Sequence, residues 1–99
     1  MLDEESIREA LRAVIDPELG FDVVALGMVR TIRIGPRVEV ELVMTSPACP
    51  MGGMIADDAT EAVCGVVRDR PVDVRLVEDP PWSPQDMEPE LRERLGWPG

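Results

Sequence analysis

Two residue types on which much enzyme chemistry depends, lysine and histidine, do not occur among the 99 residues of this sequence. Without lysine, the chain cannot form a Schiff base with a carbonyl substrate. Without histidine, it cannot build a Ser-His-Asp or Cys-His catalytic group, and it cannot hold a metal through imidazole. These two absences exclude several large classes of enzyme.

Long apolar runs are also missing, since none approaches the roughly 20 residues that a membrane-spanning helix needs. The chain begins Met-Leu-Asp-Glu-Glu, whereas a secretory signal begins with positive charge. We therefore expect a protein of the cytoplasm.

Positive charge is scarce, because ten arginines stand against twenty acidic residues and give a net charge of −10. Nucleic acids and anionic membranes are bound through clustered positive charge, so we expect neither as a partner. An apolar share of 44% over 99 residues is enough for one hydrophobic core. Residues 1–99 are therefore expected to form a single domain.

Hydrophobic periodicity predicts helices and strands in the order α-β-β-α-β-α. One-sided apolar stripes mark the helices, with Ile15 on the first stripe and Val66 on the second, and alternating residues mark the strands. A right-handed crossover from the second strand to the third makes these two strands parallel, while the strand order stays open. The pattern predicts an α+β fold, a two-layer sandwich with a small three-stranded mixed sheet. The predicted helices span residues 3–15, 50–68 and 89–95, and the predicted strands span 28–34, 38–44 and 72–76.

Cys49 is the residue best placed for chemistry. Pro50 suits the first position of a helix, which makes Cys49 the predicted N-cap. Unpaired backbone N–H groups and the helix dipole favour a thiolate there, and can lower a cysteine pKa from about 8.5 to roughly 3.5–7.5. Gly52 and Gly53 leave the first turn without side chains, so a metal, a sulfur species or another protein could approach. The pattern alone leaves open whether the thiol is functional or a small apolar cap.

The second cysteine, Cys64, is predicted fifteen residues further along the same helix, roughly 22 Å away at about 1.5 Å per residue. A disulfide needs Cα atoms within about 7 Å, so Cys49 and Cys64 cannot bridge or share a metal within one chain. We expect Cys64 to be half-buried. Met51 and Met54 beside Cys49 would suit copper(I), but their place on the apolar stripe favours the core.

Loop acids and tryptophans complete the set of candidates. The acids are expected mainly to end helices, form turns or carry surface charge, and the tryptophans to tie the C-terminal tail to the core. The acids are Asp16, Glu18, Asp22 and Asp79, and the tryptophans are Trp82 and Trp97.

Several segments taken together resemble the SufT/PaaD-like iron–sulfur cluster assembly family. In chain order they are Asp16-Pro17-Glu18, Ala25-Leu26-Gly27-Met28-Val29, Thr45 through Pro50, Asp79-Pro80-Pro81-Trp82-Ser83-Pro84 and Leu95-Gly96-Trp97. The resemblance covers nearly the whole chain. It implies a fold of the iron–sulfur cluster assembly type, in agreement with the predicted element order.

The resemblance also implies a function and a site. The function is to mature iron–sulfur proteins through contacts with scaffold, carrier or client proteins. The motif cysteine of the family corresponds to Cys49, its paired loop acids to Asp16 and Glu18, and the threonine before its cysteine to Thr45. Transient iron or an iron–sulfur cluster is the implied cargo, with Cys49 as the metal ligand.

Three functions follow from these considerations. The first is a non-enzymatic assembly factor in which Cys49 transiently binds iron, a cluster or sulfur. Because clusters are held by several thiolates, a second subunit, as in a homodimer, or a partner protein must then share the cluster. The second is an adaptor in which Cys49 is only structural. The third is a thiol enzyme that handles persulfide and depends on the helix dipole alone for activation.

Overall fold

A computed structural model describes residues 3–17, 19–44, 52–78 and 81–96, and its elements follow the predicted order α-β-β-α-β-α. A single 3₁₀ turn, Pro84–Asp86, precedes the last helix. No helix within the described ranges has the length and apolar content needed to cross a bilayer. The helices are α1 (Glu4–Leu11), α2 (Gly52–Cys64) and α3 (Pro89–Arg94), and the strands are β1 (Val29–Ile34), β2 (Val38–Val43) and β3 (Val72–Val77).

The sheet has the order β1-β2-β3, which places β2 in the centre. β1 and β2 form an antiparallel hairpin, whereas β2 and β3 run parallel from the pair Val38–Val72 to the pair Val43–Val77. The predicted parallel relation of the second and third strands is therefore confirmed. At one end of the sheet β2 and β3 finish and β1 begins, and we call it the carboxyl end.

The core lies between one face of the sheet and the helices. Alternate residues of β2, namely Val38, Val40 and Leu42, are fully buried, while Glu39 and Glu41 between them lie on the opposite face. Burying each such apolar side chain contributes about 1.5–3 kcal/mol to the free energy of unfolding. Among the strands, β2 supplies the largest number of fully buried side chains to the core. The helices supply Ile7, Leu11, Ile55, Ala59 and Val63 to the same cluster.

The first helix is shorter than predicted. Asp3 caps it by accepting a hydrogen bond from the N–H of Ser6 at 2.8 Å, and the helix ends at Leu11, not at residue 15. The chain then folds back on itself, because the N–H of Val23 donates to the carbonyl of Val14 at 3.0 Å. Ile15 therefore lies in an isolated β-bridge and is exposed, although the helical pattern predicts it to be buried.

The second helix also ends early, at Cys64, where the prediction extends it to residue 68. Gly65 follows directly, and glycine in a helix interior costs about 1 kcal/mol relative to alanine. Of the next two residues, Val67 is buried and Val66 is exposed. Val66, which the longer helix would place on its apolar stripe, is thus wrongly predicted.

Two further predictions about α2 are wrong. Met54 has a relative exposure of 42% where the stripe predicts core packing, and Cys64 is exposed where we expect it to be half-buried. The buried residues of α2 are Gly52, Ile55, Ala59 and Val63. Both Met54 and Cys64 therefore lie outside the face that packs on the sheet. Met51 falls outside the described residues.

The C-terminal segment, residues 81–96, packs against the loop before β1. The indole N–H of Trp82 donates to the carbonyl of Leu26 at 2.7 Å, and the N–H of Glu88 donates to the carbonyl of Ala25 at 2.9 Å. Met87 and Leu91 add buried apolar contact. The predicted anchoring by Trp82 is confirmed, whereas Trp97 falls outside the described residues.

Candidate functional site

We call residues 45–51, which include the predicted reactive thiol, the thiol segment, and the residues on either side of it lie at the carboxyl end of the sheet. Met44 follows β2 directly, and Gly52 is the first residue of α2. Gly52 is buried, and its neighbours are side-chain atoms of Met44 and Leu76. Thr45 and Cys49 themselves lie outside the described residues, so their roles stay predictions.

The two glycines at the start of α2 have different surroundings. A Cβ on Gly52 would come within 3.0 Å of Leu76 Cδ1 and 3.7 Å of Met44 Sδ, which leaves little space for a side chain. Gly53, in contrast, has nothing within 4 Å of that position and is exposed. Close packing thus explains Gly52, whereas Gly53 leaves the surface open.

Exposed apolar side chains lie beside this open surface. Leu76, next to Gly52, has a relative exposure of 41%, and Met54 in the first turn of α2 has a similar value. Acidic residues follow along the helix at Asp57, Asp58 and Glu61, and α2 carries no basic residue. The start of α2 therefore offers a thioether and apolar groups to a molecule that approaches it, and acidic groups follow further along the helix.

Two of the predicted loop acids, Asp16 and Asp22, fall within the described residues, and of these Asp16 is buried, with a relative exposure of 1%. Its Oδ1 accepts a hydrogen bond from the N–H of Leu19 at 3.3 Å, and its carbonyl accepts one from the N–H of Gly20 at 2.7 Å. These contacts hold the turn that contains Pro17. Glu18 lies outside the described residues, so the predicted pairing of the two acids at one site is not tested.

The other loop acids have separate positions. Asp22 accepts a hydrogen bond from the N–H of Ala25 at 2.9 Å, so it holds a turn, which is one of the three roles expected of the loop acids. Asp79 falls outside the described residues. Within the described ranges no group of three or more Cys, Asp or Glu side chains is arranged to hold a metal ion.

Sequence reasoning misses an ion pair that joins the two ends of the chain. Arg12 after α1 donates to both carboxylate oxygens of Glu88 before α3, at 3.0 and 3.3 Å, and lies 3.5 Å from Asp22. The hydrogen bond from Arg12 holds the pKa of the Glu88 carboxyl below its usual value, and Glu88 raises the pKa of Arg12. A pair separated by 76 residues leaves no local pattern in the sequence.

We expect this ion pair to make stability depend on pH. Because folding lowers the pKa of Glu88, its contribution is complete above the unfolded-state pKa of about 4.3 and is lost as pH falls through the folded-state pKa. Since the pair is partly exposed, Glu88→Gln should lower the free energy of unfolding by only about 0.5–1 kcal/mol at pH 7. The difference from the parent chain should begin to shrink near pH 4 and vanish only once the pH lies below the folded-state pKa of Glu88.

Thermal or urea unfolding between pH 3 and 8 checks this expectation. Glu90→Gln is the matched control, because Glu90 is an exposed residue of the first turn of α3. It should change stability by less than about 0.5 kcal/mol at every pH. A difference for Glu88→Gln that grows as pH falls would contradict the assignment.

Comparisons with known proteins agree with this architecture. A family model described as iron–sulfur cluster assembly protein matches residues 4–74. The Fe-S protein maturation auxiliary factor YitW of Bacillus subtilis is 32% identical over 95 residues, which cover 94% of this chain and 93% of YitW. The Fe-S protein maturation auxiliary factor SufT of Staphylococcus aureus is 34% identical, covering 84% of this chain and 97% of SufT.

The fold is also found in a solved structure. A conserved hypothetical protein from Thermotoga maritima superposes with a TM-score of 0.81 at 47% sequence identity, covering 96% of this chain and 95% of the other. The matched residues 4–74 run from α1 into β3, so they include both limits of the thiol segment. The family resemblance predicted from the motifs is therefore confirmed, and this chain belongs to the family of iron–sulfur cluster assembly proteins.

Proposed function

We propose that this chain assists the assembly of iron–sulfur clusters, or their delivery to client proteins, without being an enzyme. The observation that carries the proposal is the match to YitW and SufT over 93% and 97% of their lengths, since both are maturation auxiliary factors. The absence of lysine and histidine supports a role other than catalysis. Scaffold, carrier and client proteins are the proposed partners. The proposed setting is the cytoplasm, with residues 1–99 acting as one domain.

Cys49 is the proposed ligand that transiently binds iron, a cluster or sulfur as cargo. It precedes Gly52, the start of the 13-residue helix α2, by three positions. Backbone N–H groups at a helix start favour a thiolate, and the open surroundings of Gly53 leave room for the cargo or for a partner. Both features support a reactive thiol at the carboxyl end of the sheet.

The other proposed site residues belong to two segments of the chain. Thr45 and Gly52 come from the same stretch of chain as Cys49. Asp16 and Glu18 come from the loop that leads into β1, which begins at the same end of the sheet. Asp16 is buried and is proposed to act by holding this loop in shape.

One thiolate does not complete a cluster site, because clusters are normally held by several. The other cysteine, Cys64, ends α2 twelve residues after Gly52, about 18 Å away along the helix axis. It therefore cannot serve the same site within one chain. The remaining ligands must come from another protein, as expected for a factor that passes its cargo on.

Anaerobic reconstitution with ferrous iron and sulfide, followed by absorption spectroscopy, tests direct binding. We expect the parent chain, mixed with a cluster scaffold protein, to acquire cluster absorbance that Cys49→Ala lacks. Cys64→Ala is the matched control, since it removes the exposed cysteine of the same helix, and it should behave as the parent. Equal absorbance for the parent and Cys49→Ala would exclude Cys49 as a ligand.

Transfer of a cluster from a loaded scaffold to a cluster-free ferredoxin tests the function itself. The parent chain and Cys64→Ala should accelerate transfer, and Cys49→Ala should not. Cys49→Ser that keeps the acceleration but lowers stability would instead indicate an adaptor with a structural cysteine. A parent chain that leaves the rate of transfer unchanged would contradict the proposed function.

A further inference from the structure

The two outer edges of the sheet differ in how they are protected. On β1 the pairing with β2 shifts register beside Arg30, and Arg30 donates to the carbonyl of Pro81 and to Asp86, so the C-terminal segment reaches this edge. β3 pairs with β2 in continuous register over all six of its residues. Within the described ranges, no segment pairs with its other side. An edge strand whose outward backbone groups are unpaired is a template for a further strand.

The backbone groups of β3 that point outward follow from its pairing with β2. Val38 is paired with Val72, and its N–H donates to the carbonyl of Pro71 at 2.9 Å. In a parallel pair a residue bonds to the two neighbours of its partner, and backbone groups alternate in direction along a strand. The odd-numbered residues of β3 therefore bond to β2. Val72, Val74 and Leu76 direct their N–H and C=O groups away from the sheet.

These outward groups restrict how two β3 strands can pair antiparallel about a two-fold axis. In such a pair, the outward-pointing residues of one strand must lie opposite outward-pointing residues of the other strand; these are Val72, Val74 and Leu76. The two-fold axis therefore passes through Val74 or through one of its neighbours, Asp73 or Arg75. An axis at Asp73 sets two carboxylates against each other, and an axis at Arg75 sets two guanidinium groups against each other. Both arrangements are disfavoured, because like charges directly opposite destabilise a sheet.

The axis through Val74 satisfies both the backbone and the charges. Each Asp73 then lies opposite Arg75 of the second strand, in a non-hydrogen-bonded pair where the side chains are closest. Both side chains are accessible, at 38% and 50% exposure, and they project on the face of the sheet opposite the helices. Within its own chain Arg75 also pairs with Asp73 at 3.5 Å and with Glu39 at 3.2 Å, so the second copy adds a partner to a half-exposed ion-pair cluster. Val72 lies opposite the exposed Leu76 of the second copy, which covers apolar surface at both ends of the pairing.

We propose that a second copy of this chain docks on the outer edge of β3, in antiparallel register about Val74, to form a continuous six-stranded sheet. The occupant is identified by the self-complementary charge order of Asp73 and Arg75. β1 carries only positive charge, at Arg30 and Arg33, and offers no such match. A single strand pair buries less surface than standard stable interfaces do, so the dimer is weak and concentration-dependent.

The antiparallel pairing also bears on where the other cluster ligands come from, an inference that rests on the proposed function. The antiparallel pairing places the two carboxyl ends of β3 at opposite ends of the shared edge. Val77 and its copy are six residues apart along the strand direction, about 20 Å at 3.3 Å per residue. The two carboxyl ends of the sheets are therefore separated, so we do not expect the second copy to supply the missing cluster ligands. A scaffold, carrier or client supplies them, and each dimer presents two separate sites.

Charge exchange between two variants tests the pairing. Asp73→Arg and Arg75→Asp each set like charges opposite one another in their own homodimers, so each should self-associate about tenfold more weakly than the parent. Mixed together, the two variants restore opposite charges at both positions and should form a heterodimer in preference to either homodimer. Their different masses allow native mass spectrometry to distinguish the three species, and sedimentation gives the affinities.

The matched control is Arg33→Asp, which makes the same change of charge on β1, two strands away, and should leave self-association unchanged. Hydrogen exchange of the parent chain gives a test that needs no variant. With rising protein concentration, the amides of Val74 and Leu76 should gain protection, whereas those of Asp73 and Arg75 are protected at all concentrations. A heterodimer no more abundant than random mixing predicts, or a parent that stays monomeric, would overturn the proposal.

Discussion

Gly27→Ala should lower the free energy of unfolding by about 3 kcal/mol or more. Gly27 has a φ of +73°, a backbone conformation that side chains other than glycine rarely adopt. A Cβ at this position would also overlap the backbone carbonyl of Asp86 and lie 2.9 Å from its Cβ. The overlap is with backbone, so no side-chain rotation relieves it.

The segment around Asp86 cannot retreat without further loss. It is held by the bond from Trp82 to Leu26 and by the bond from Glu88 to Ala25, on either side of the contact. Alanine at position 27 therefore either strains the loop before β1 or detaches the C-terminal segment. Urea unfolding should show the loss, and hydrogen exchange of residues 81–96 should show detachment as faster exchange.

Gly20→Ala is the matched control for this prediction. Gly20 has nearly the same φ, +77°, but nothing lies within 4 Å of the position of its Cβ. Gly20→Ala should lower the free energy of unfolding only by the cost of placing alanine in this backbone conformation, about 1–2 kcal/mol. Equal losses for the two variants would show that the contact with Asp86 adds nothing.

The element order and the parallel pairing of β2 and β3 could be predicted because they depend on local patterns and on one rule of chirality. The alternation of Val38, Val40 and Leu42 identifies a strand with one buried face wherever that strand lies. The strand order could not be predicted in this way. It depends on which edge of the hairpin receives β3, and both hairpin strands carry suitable apolar residues.

The errors at helix ends have a common physical cause. The apolar pattern of α1 continues to Ile15, but the bond between Val23 and Val14 provides a partner that no local window includes. The prediction that Met54 is buried rests only on the spacing of apolar residues. Contact with the sheet determines which face of the helix is buried, and Met54 lies outside that face. Tertiary contacts thus override local propensity at the margins of elements more than in their middles.

The candidate site could be predicted only in part. Composition and the N-cap argument single out Cys49, and the family resemblance adds Thr45, Asp16 and Glu18. Neither gives the reason for Gly52, which is its closeness to Leu76 from a strand 24 positions later. The pairing of Arg12 with Glu88 likewise could not be predicted, because the two residues meet only in the folded chain.

Asp16→Ala is expected to have the second largest effect, a loss of about 2 kcal/mol in the free energy of unfolding. The carboxylate is buried, and its Oδ1 accepts the N–H of Leu19. Alanine leaves that donor without its partner and opens a small space beside Pro17. The turn then keeps the backbone bond from Gly20 to the carbonyl of residue 16 but loses the side-chain contact, which weakens the loop that leads to the carboxyl end of the sheet.

Asp16→Asn distinguishes holding the loop from acting on the cargo, because asparagine keeps the shape and one acceptor oxygen but not the charge. We expect it to lose less than about 1 kcal/mol and to transfer clusters within about twofold of the parent rate. Asp16→Ala should transfer more slowly, in proportion to its loss of folded structure. Asp16→Asn that remains as stable as the parent but fails in cluster transfer would contradict this expectation. That result would show that the charge of the buried carboxylate acts on the cargo that Cys49 is proposed to bind.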